Sequence, residues 1–312
     1  MLWFYLSLFL FFSFLLIKAA DILVSSLKRL SQFSHLGKFA LTSFIIALAT
    51  SLPEFFVGIA AALENKPNLS LGNVIGSNIA NLSLVIGGTT LIGGAMSVVG
   101  DVLKKDIFYT FLAGSLPLIL LLDNNLSRVD GLILLIVYVW YVATVLKLKK
   151  RHKWFGIIKR LGRKETELSW IFLGIILLLF SADMIVKVSV KVATSFSVPL
   201  LLIGLFLVAV GTSLPELSFG IGAIRQHQIA MVFGNLLGSI VANSSLILGV
   251  TALISPIKII YLQEYLLATI FFILIFGAFY LFVRTKRKLE RWEGGALFLF
   301  YLLFALVEFL KR

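Results

Sequence analysis

Glu54 and Glu216 each lie in the middle of a long apolar run, and each closes the same five residues. These are Thr50-Ser51-Leu52-Pro53-Glu54 and Thr212-Ser213-Leu214-Pro215-Glu216. A carboxylate buried in a hydrophobic medium costs several kcal/mol unless it is paired or bound to a cation. No Lys or Arg lies at a matching depth in the runs that carry the glutamates or in those that follow them. The countercharge left to them is therefore a cation from outside the chain. Each glutamate follows a proline, which lacks a backbone N–H and clashes with the carbonyl four residues back. That carbonyl belongs to Ala49 for Pro53 and to Gly211 for Pro215. The helix is expected to open there and free carbonyls around Ala47–Thr50 and Ala209–Thr212. Carbonyls, hydroxyls and carboxylates are hard oxygen ligands, suited to Ca²⁺ and Na⁺ rather than to soft metals.

A second pair of segments adds polar groups in register. Gly72-x-x-x-Gly76 and Gly234-x-x-x-Gly238 carry the small-residue spacing that lets membrane helices approach closely. Ser77 and Asn81 are four residues apart and share a helix face, as do Ser239 and Asn243. Asn73 and Asn235 extend those faces by one turn. Asp21 and Asp183 are also duplicated, but Lys18 and Lys187 lie three and four residues away, at helix-pair spacing. We read the two aspartates mainly as structural or gate residues.

The elements that position these groups are copies. Leu41–Leu91 aligns without a gap on Ile203–Leu253 at an offset of 162, with 21 of 51 positions identical. Ala20-Asp21 matches Ala182-Asp183 at the same offset. Arg128, Asp130 and Gly131 match Arg291, Glu293 and Gly294 after one inserted residue. Low-complexity apolar sequence aligns by chance on Leu and Val, not on Thr, Ser, Pro, Glu, Gly and Asn at fixed spacing.

The medium follows from composition. Of 312 residues 60% are hydrophobic and 14% charged, with a mean hydropathy of +1.03. A soluble domain carries about 25% charged residues, so lipid must cover much of this chain. Ten segments approach the roughly 20 apolar residues that cross a bilayer: Leu2–Leu27, Phe39–Leu63, Leu69–Val98, Ile107–Leu122, Gly131–Leu146, Ser169–Val192, Leu200–Ile224, Ile229–Ile254, Tyr265–Val283 and Gly294–Leu310. The first run has no basic lead or small-residue cleavage site and reads as a retained span. The loops on one side hold 20 Lys/Arg and those on the other hold 7, with Lys18 inside the first span. The richer side is then cytoplasmic and both termini external. The net charge of +13 sits in short loops between apolar runs, which argues against nucleic acid. The basic stretch Lys147–Lys164 reads as a topology anchor, with a regulator or anionic lipid as the alternative. With no cysteine there are no disulfides, thiolate metal sites or thiol nucleophiles.

Five spans in each copy force the second to enter the membrane from the opposite face, a common transporter plan with the site near the midplane. The fold class expected is an all-α membrane protein of ten transmembrane helices in two inverted five-helix repeats. Residues 1–148 form the first repeat, with its core at 41–91. Residues 149–167 form a basic cytoplasmic linker, and 168–312 form the second repeat, with its core at 203–253.

The duplicated segments Ala49–Glu54 with Gly72–Asn81, and Gly211–Glu216 with Gly234–Asn243, resemble the two α-repeats of the sodium/calcium exchangers, in the calcium/cation antiporter superfamily. The resemblance covers the whole chain. It implies an antiporter that exchanges Ca²⁺ for Na⁺ by alternating access, with spans 1 and 6 sliding across the other eight and three Na⁺ moving per Ca²⁺. It implies four adjacent ion positions, ligated by the carbonyls of Ala47, Thr50, Ala209 and Thr212 and the hydroxyls of Ser51, Ser77, Ser213 and Ser239. The Glu54 and Glu216 carboxylates and the Asn81 and Asn243 side chains complete the set. Prokaryotic members often carry Asp at the position of Asn243, and Asn78 is matched by Ile240, so the halves are not equivalent. No cofactor is expected, the partners are Ca²⁺, Na⁺ and the bilayer, and a monomer suffices.

Two other readings use the same residues. A cation/proton exchanger, or a carrier of another divalent ion such as Mn²⁺ or Mg²⁺, differs in whether a Na⁺ gradient alone drives Ca²⁺ flux. An ion channel needs no pair of neutralising carboxylates at one depth. An intramembrane enzyme could use two glutamates as acid and base, but His35, His152 and His227 all fall in loops, so no enzymatic activity is expected.

Overall fold

A backbone in lipid must satisfy its hydrogen bonds within its own segment, so long apolar runs become helices. The computed structural model describes residues 2–31, 47–97, 101–147, 165–225, 227–286 and 288–310. The start of the expected second span, most of the linker 149–167, His35 and His152 lie outside the described residues.

The helices in chain order are α1 (Leu2–Ser31), α2 (Leu52–Leu63, led in by helical residues 47–50) and α3 (Pro67–Gly93). They continue with α4 (Asp101–Leu120), α5 (Arg128–Lys147), α6 (Glu165–Phe196) and α7 (Leu200–Arg225). The last are α8 (Ile229–Ile254), α9 (Leu262–Lys286) and α10 (Arg291–Leu310). Among the described residues seven helices, α1, α3 and α6 to α10, are long and apolar enough to cross a membrane. Leu52–Leu63 and Ile107–Asp123 are shorter apolar helices.

Two small antiparallel ladders join loops of the first half to loops of the second. β1 (Met96–Ser97) pairs with β4 (Lys288–Leu289), Met96 opposite Leu289. β2 (Asn125–Leu126) pairs with β3 (Ile257–Lys258), Asn125 opposite Lys258. α4 runs from the β1 end to the β2 end, whereas α9 runs from β3 to β4. Because β3 lies beside β2 and β4 beside β1, these two corresponding helices point in opposite directions.

Other local features recur at the 162-residue offset. The turns after α2 and α7 both place a residue in the left-handed region, Asn65 and His227, each with φ 55°. The following amides close each helix end in the same way, Lys66 N to Ala61 O at 2.7 Å and Gln228 N to Ala223 O at 2.8 Å. π-helical turns interrupt α3 at Asn81–Val85 and α8 at Ala242–Ile247. In each, a serine hydroxyl donates to the carbonyl four residues back, Ser83 to Ile79 and Ser245 to Val241. Such one-turn bulges concentrate at functional sites, and here each begins at or beside a predicted site asparagine.

The buried apolar side chains form two main groups. One joins α1 and α6 through Phe9, Leu16, Ala19, Ala20, Leu178 and Ala182, with a border on Val57, Leu69 and Val208. The other fills the space among α3, α4, α5 and α7 to α10. The alanine of each duplicated Ala-Asp pair is therefore a packing contact between α1 and α6, which lets their backbones come close. The aspartates point away from it. Asp21 lies 3.8 Å from Lys18 and Asp183 lies 2.8 Å from Lys187.

Candidate functional site between α2, α3, α7 and α8

Each proline breaks its helix as its chemistry requires. The break is narrow. Ser51 (φ −82°, ψ 5°) and Ser213 (φ −84°, ψ 1°) leave the helical region, and the helix resumes at once. Ala47 O still accepts from Ser51 N at 3.1 Å, and Ala209 O accepts from Ser213 N at 3.0 Å. The sequence reading expected these carbonyls to be freed. They instead stay bonded, and beyond its amide partner Ala209 O accepts from Thr212 Oγ1 at 3.4 Å. Around Ala47 O stand Thr50 Oγ1 at 3.3 Å and Ser239 Oγ at 3.4 Å.

The two breaks face the polar stripes of the opposite half. Thr50 Oγ1 donates to Asn235 Oδ1 at 3.0 Å and lies 3.5 Å from Ser239 Oγ. Thr212 Oγ1 donates to Asn73 Oδ1 at 3.1 Å and lies 3.5 Å from Ser77 Oγ. Each pair becomes the other when 162 is added to one partner and subtracted from its mate. Ser77 and Thr212 face Glu54, and Thr50 and Ser239 face Glu216. Close approach of the helices makes this possible. A Cβ on Gly72 would lie 2.1 Å from Leu201 O, and one on Gly76 would lie 2.2 Å from Leu205 O. Only glycine admits the α7 backbone there, so the first small-residue motif brings α3 against α7.

Glu54 is 0% exposed and Glu216 is 1% exposed. Buried polar atoms are normally hydrogen-bonded. Among the described residues Ser51 Oγ, Glu54 Oε2, Ser213 Oγ, both Glu216 carboxylate oxygens, both amide atoms of Asn81, Asn243 Oδ1 and Asn73 Nδ2 have no hydrogen-bond partner here. All but the Asn73 atom belong to the predicted ligand set. The serine contacts are long, unlike the Thr–Asn bonds. Ser77 Oγ to Glu54 Oε1 is 3.5 Å, as are the two Ser–Thr spacings above, whereas a good O–H···O bond is about 2.7–2.8 Å. Ligands at right angles around an ion with oxygens at 2.3–2.6 Å stand about 3.3–3.7 Å apart. The Ser77 and Glu54 oxygens stand in that range, a spacing that suits a shared hard cation. Among the described residues no group of three His, Cys, Asp or Glu could hold a transition metal.

Asn73 and Asn235 do more than extend a face, since each fixes the threonine hydroxyl of the other half. Asn78 and Ser244 join the polar cluster too, through Asn78 Nδ2 to Ser244 Oγ at 2.7 Å and Asn243 Nδ2 to Asn78 Oδ1 at 3.2 Å. Neither is duplicated, so a search by repeat passes over them. Asp21 and Asp183 stay outside, paired with their lysines. Lys187 also reaches Glu64 at the end of α2, at 3.9 Å.

The sequence profile of the family described as sodium/calcium exchanger protein matches residues 4–147 and 166–310. The inner membrane protein YrbG of Escherichia coli K12 is 30% identical over 277 residues, 84% of this chain and 85% of its own. The sodium/calcium exchanger MaX1 of Methanosarcina acetivorans is 26% identical and covers 94% of this chain and 95% of its own. The crystal structure of the sodium-calcium exchanger NCX_Mj soaked with Na⁺ and Sr²⁺ superposes with a TM-score of 0.67. It is 26% identical and covers 97% of this chain and 98% of its own. The chain belongs to the sodium/calcium exchanger family.

Proposed function

We propose that this member of the sodium/calcium exchanger family is a multi-pass membrane antiporter that exchanges Ca²⁺ for Na⁺ through the site between α2, α3, α7 and α8. The observation that carries the reading is the pair of fully buried glutamates, one from each half, among buried oxygens that have no protein partner. Two carboxylates bring two negative charges into a region where the described residues place no lysine or arginine against them. One Ca²⁺ offsets that charge, and so do two Na⁺. A third Na⁺ leaves one positive charge on the loaded site, so exchange of three Na⁺ for one Ca²⁺ moves net charge across the membrane. Its ligands are the Ala47, Thr50, Ala209 and Thr212 carbonyls, the Ser51, Ser77, Ser213 and Ser239 hydroxyls, Glu54, Glu216, Asn81 and Asn243. Asn73 and Asn235 hold the threonines.

The opposite running of α4 and α9, the ladders at their two ends and the exchanged Thr–Asn pairs favour ten helices in two inverted five-helix repeats, residues 1–148 and 168–312. The Lys/Arg count favours a cytoplasmic linker at 149–167 and external termini. Alternating access then needs one group of helices to slide on the rest. The direct packing of α1 on α6 supports that pair as the moving group, sliding over the α2 and α7 residues that share its apolar cluster.

The test is uptake of radioactive Ca²⁺ into proteoliposomes loaded with Na⁺, against liposomes without a Na⁺ gradient. Uptake is expected only with the gradient. Glu54→Gln and Glu216→Gln should each lower it at least about a hundredfold, since an uncompensated half of the site costs several kcal/mol. Uptake driven equally by a proton gradient without Na⁺, or wild-type rates in both variants, would refute the reading.

A further inference from the structure

The two site asparagines occupy matching positions but have different surroundings. Asn81 is buried, and among the described residues neither of its amide atoms has a hydrogen-bond partner. Asn243 is equally buried, yet its Nδ2 donates to Asn78 Oδ1 at 3.2 Å and only its Oδ1 is left over. Asn78 is itself fixed, because its Nδ2 donates to Ser244 Oγ at 2.7 Å. In this structure the Ser244 hydroxyl oxygen takes the Asn78 amide hydrogen, and the Asn78 carbonyl faces Asn243 and takes its amide hydrogen in turn. In the other half this pair is missing. Ile240 stands where Asn78 would recur and Leu82 where Ser244 would, both fully buried and apolar.

A primary amide is two-faced. Its oxygen is a cation ligand and its NH₂ end repels a cation, and the two ends have nearly the same shape. An amide free to turn offers either end. We propose that Asn78 is a positioning residue for ion binding: with Ser244 behind it, it holds the Asn243 amide so that the oxygen faces the cation and the NH₂ group faces away. This deepens the proposed function and rests on Asn243 being a ligand. It makes the second half's asparagine a preset oxygen ligand and leaves the first half's amide free to turn. Two positions that the duplication made equal are thereby different, through residues that touch no ion.

The experiment is equilibrium Ca²⁺ binding to the purified full-length protein, in the wild type, Asn78→Leu, Ser244→Ala, Asn243→Ala and the two double variants with Asn243→Ala. Losing the acceptor that orients a charge-binding group weakens Ca²⁺ binding about tenfold in Asn78→Leu, as for a hydrogen bond of about 1.4 kcal/mol. Ser244→Ala, which loosens Asn78 without removing it, weakens binding about threefold on the same scale. In the Asn243→Ala background both shifts fall below about twofold, because the group they orient is gone. A merely structural role gives the same fold-shift in both backgrounds, and that result overturns the inference, as does unchanged affinity in both single variants. If Asn78→Leu does not fold, Ser244→Ala in the two backgrounds decides alone. Wild-type protein that binds no Ca²⁺ overturns the proposed function and this inference together, whereas wild-type binding with background-independent shifts overturns this inference alone.

Discussion

The first and second halves of the site carry the same proposed ligands but hold them differently. Thr50 on Asn235 and Thr212 on Asn73 are mirror images, 3.0 and 3.1 Å long. Beyond them the match fails. Ser77 comes within 3.5 Å of Glu54, while Thr50 and Ser239, which face Glu216, stay outside hydrogen-bond distance. Asn243 is anchored and Asn81 is not. Duplication kept the proposed ion ligands, and divergence acted on the groups behind them. A symmetric site could serve both faces of the membrane equally, so the asymmetry is where the chain can set the two directions apart.

The largest expected effect concerns the inversion itself. Lys66 and Gln228 match at the repeat offset and are both exposed in equivalent turns. In this cysteine-free chain, Lys66→Cys should react with an impermeant thiol reagent only from outside and Gln228→Cys only from the cytoplasmic side. Labelling of both from one side would break the comparison, since the halves would then be parallel.

The next effect concerns the close packing of α3 on α7. A Cβ on Gly76 would lie 2.2 Å from Leu205 O, whereas Gly222 in α7 has no described residue within 4 Å of its Cβ position. Gly76→Ala should destabilise by about 3 kcal/mol, the upper end for overpacking, and Gly222→Ala should not destabilise by a comparable amount. Thermal melting in detergent reads the difference, and equal shifts would contradict the close approach of the two helices.

The smallest effect concerns an ion pair found in one half. Lys187 joins Asp183 on its own helix and Glu64 on α2. Its counterpart in the first half is Ser25, so α1 lacks this link to the body. Exposed ion pairs contribute little, and Lys187→Gln should change the Na⁺-driven Ca²⁺ uptake rate by about twofold or less. The change should shrink further at high salt, as screening predicts. A larger change that salt does not touch would point to a direct ion role for this cluster.

Much of the fold and site was legible because polar residues are conspicuous in apolar helices and because the chain states its site twice. Thr50 to Glu54, Ser77 and Asn81 stood out by recurring in register, and the structure links Thr50 to Asn235, Thr212 to Asn73 and Ser77 to Glu54. The expected helix opening at Pro53 and Pro215 came out narrower, because one missing N–H disturbs a single turn and the flanking bonds at Ser51 and Ser213 survive. The ladders were not readable, since two-residue strands leave no periodicity. The π turns leave no mark in residue type either. The anchoring of Asn243 was hidden for another reason. The mismatch between Asn78 and Ile240 was visible, but only the packing of α3 against α8 shows that Asn78 reaches across to Asn243.

The central claim is that one cation site is built jointly, with an indispensable carboxylate from each half. Equilibrium Ca²⁺ binding to Glu54→Gln and Glu216→Gln, measured beside the wild type in the absence of Na⁺, tests it most directly. The account predicts that the wild type binds Ca²⁺ and that each substitution alone weakens binding by at least about a hundredfold, since half of the compensating charge is lost. Either variant binding Ca²⁺ as tightly as the wild type would contradict it.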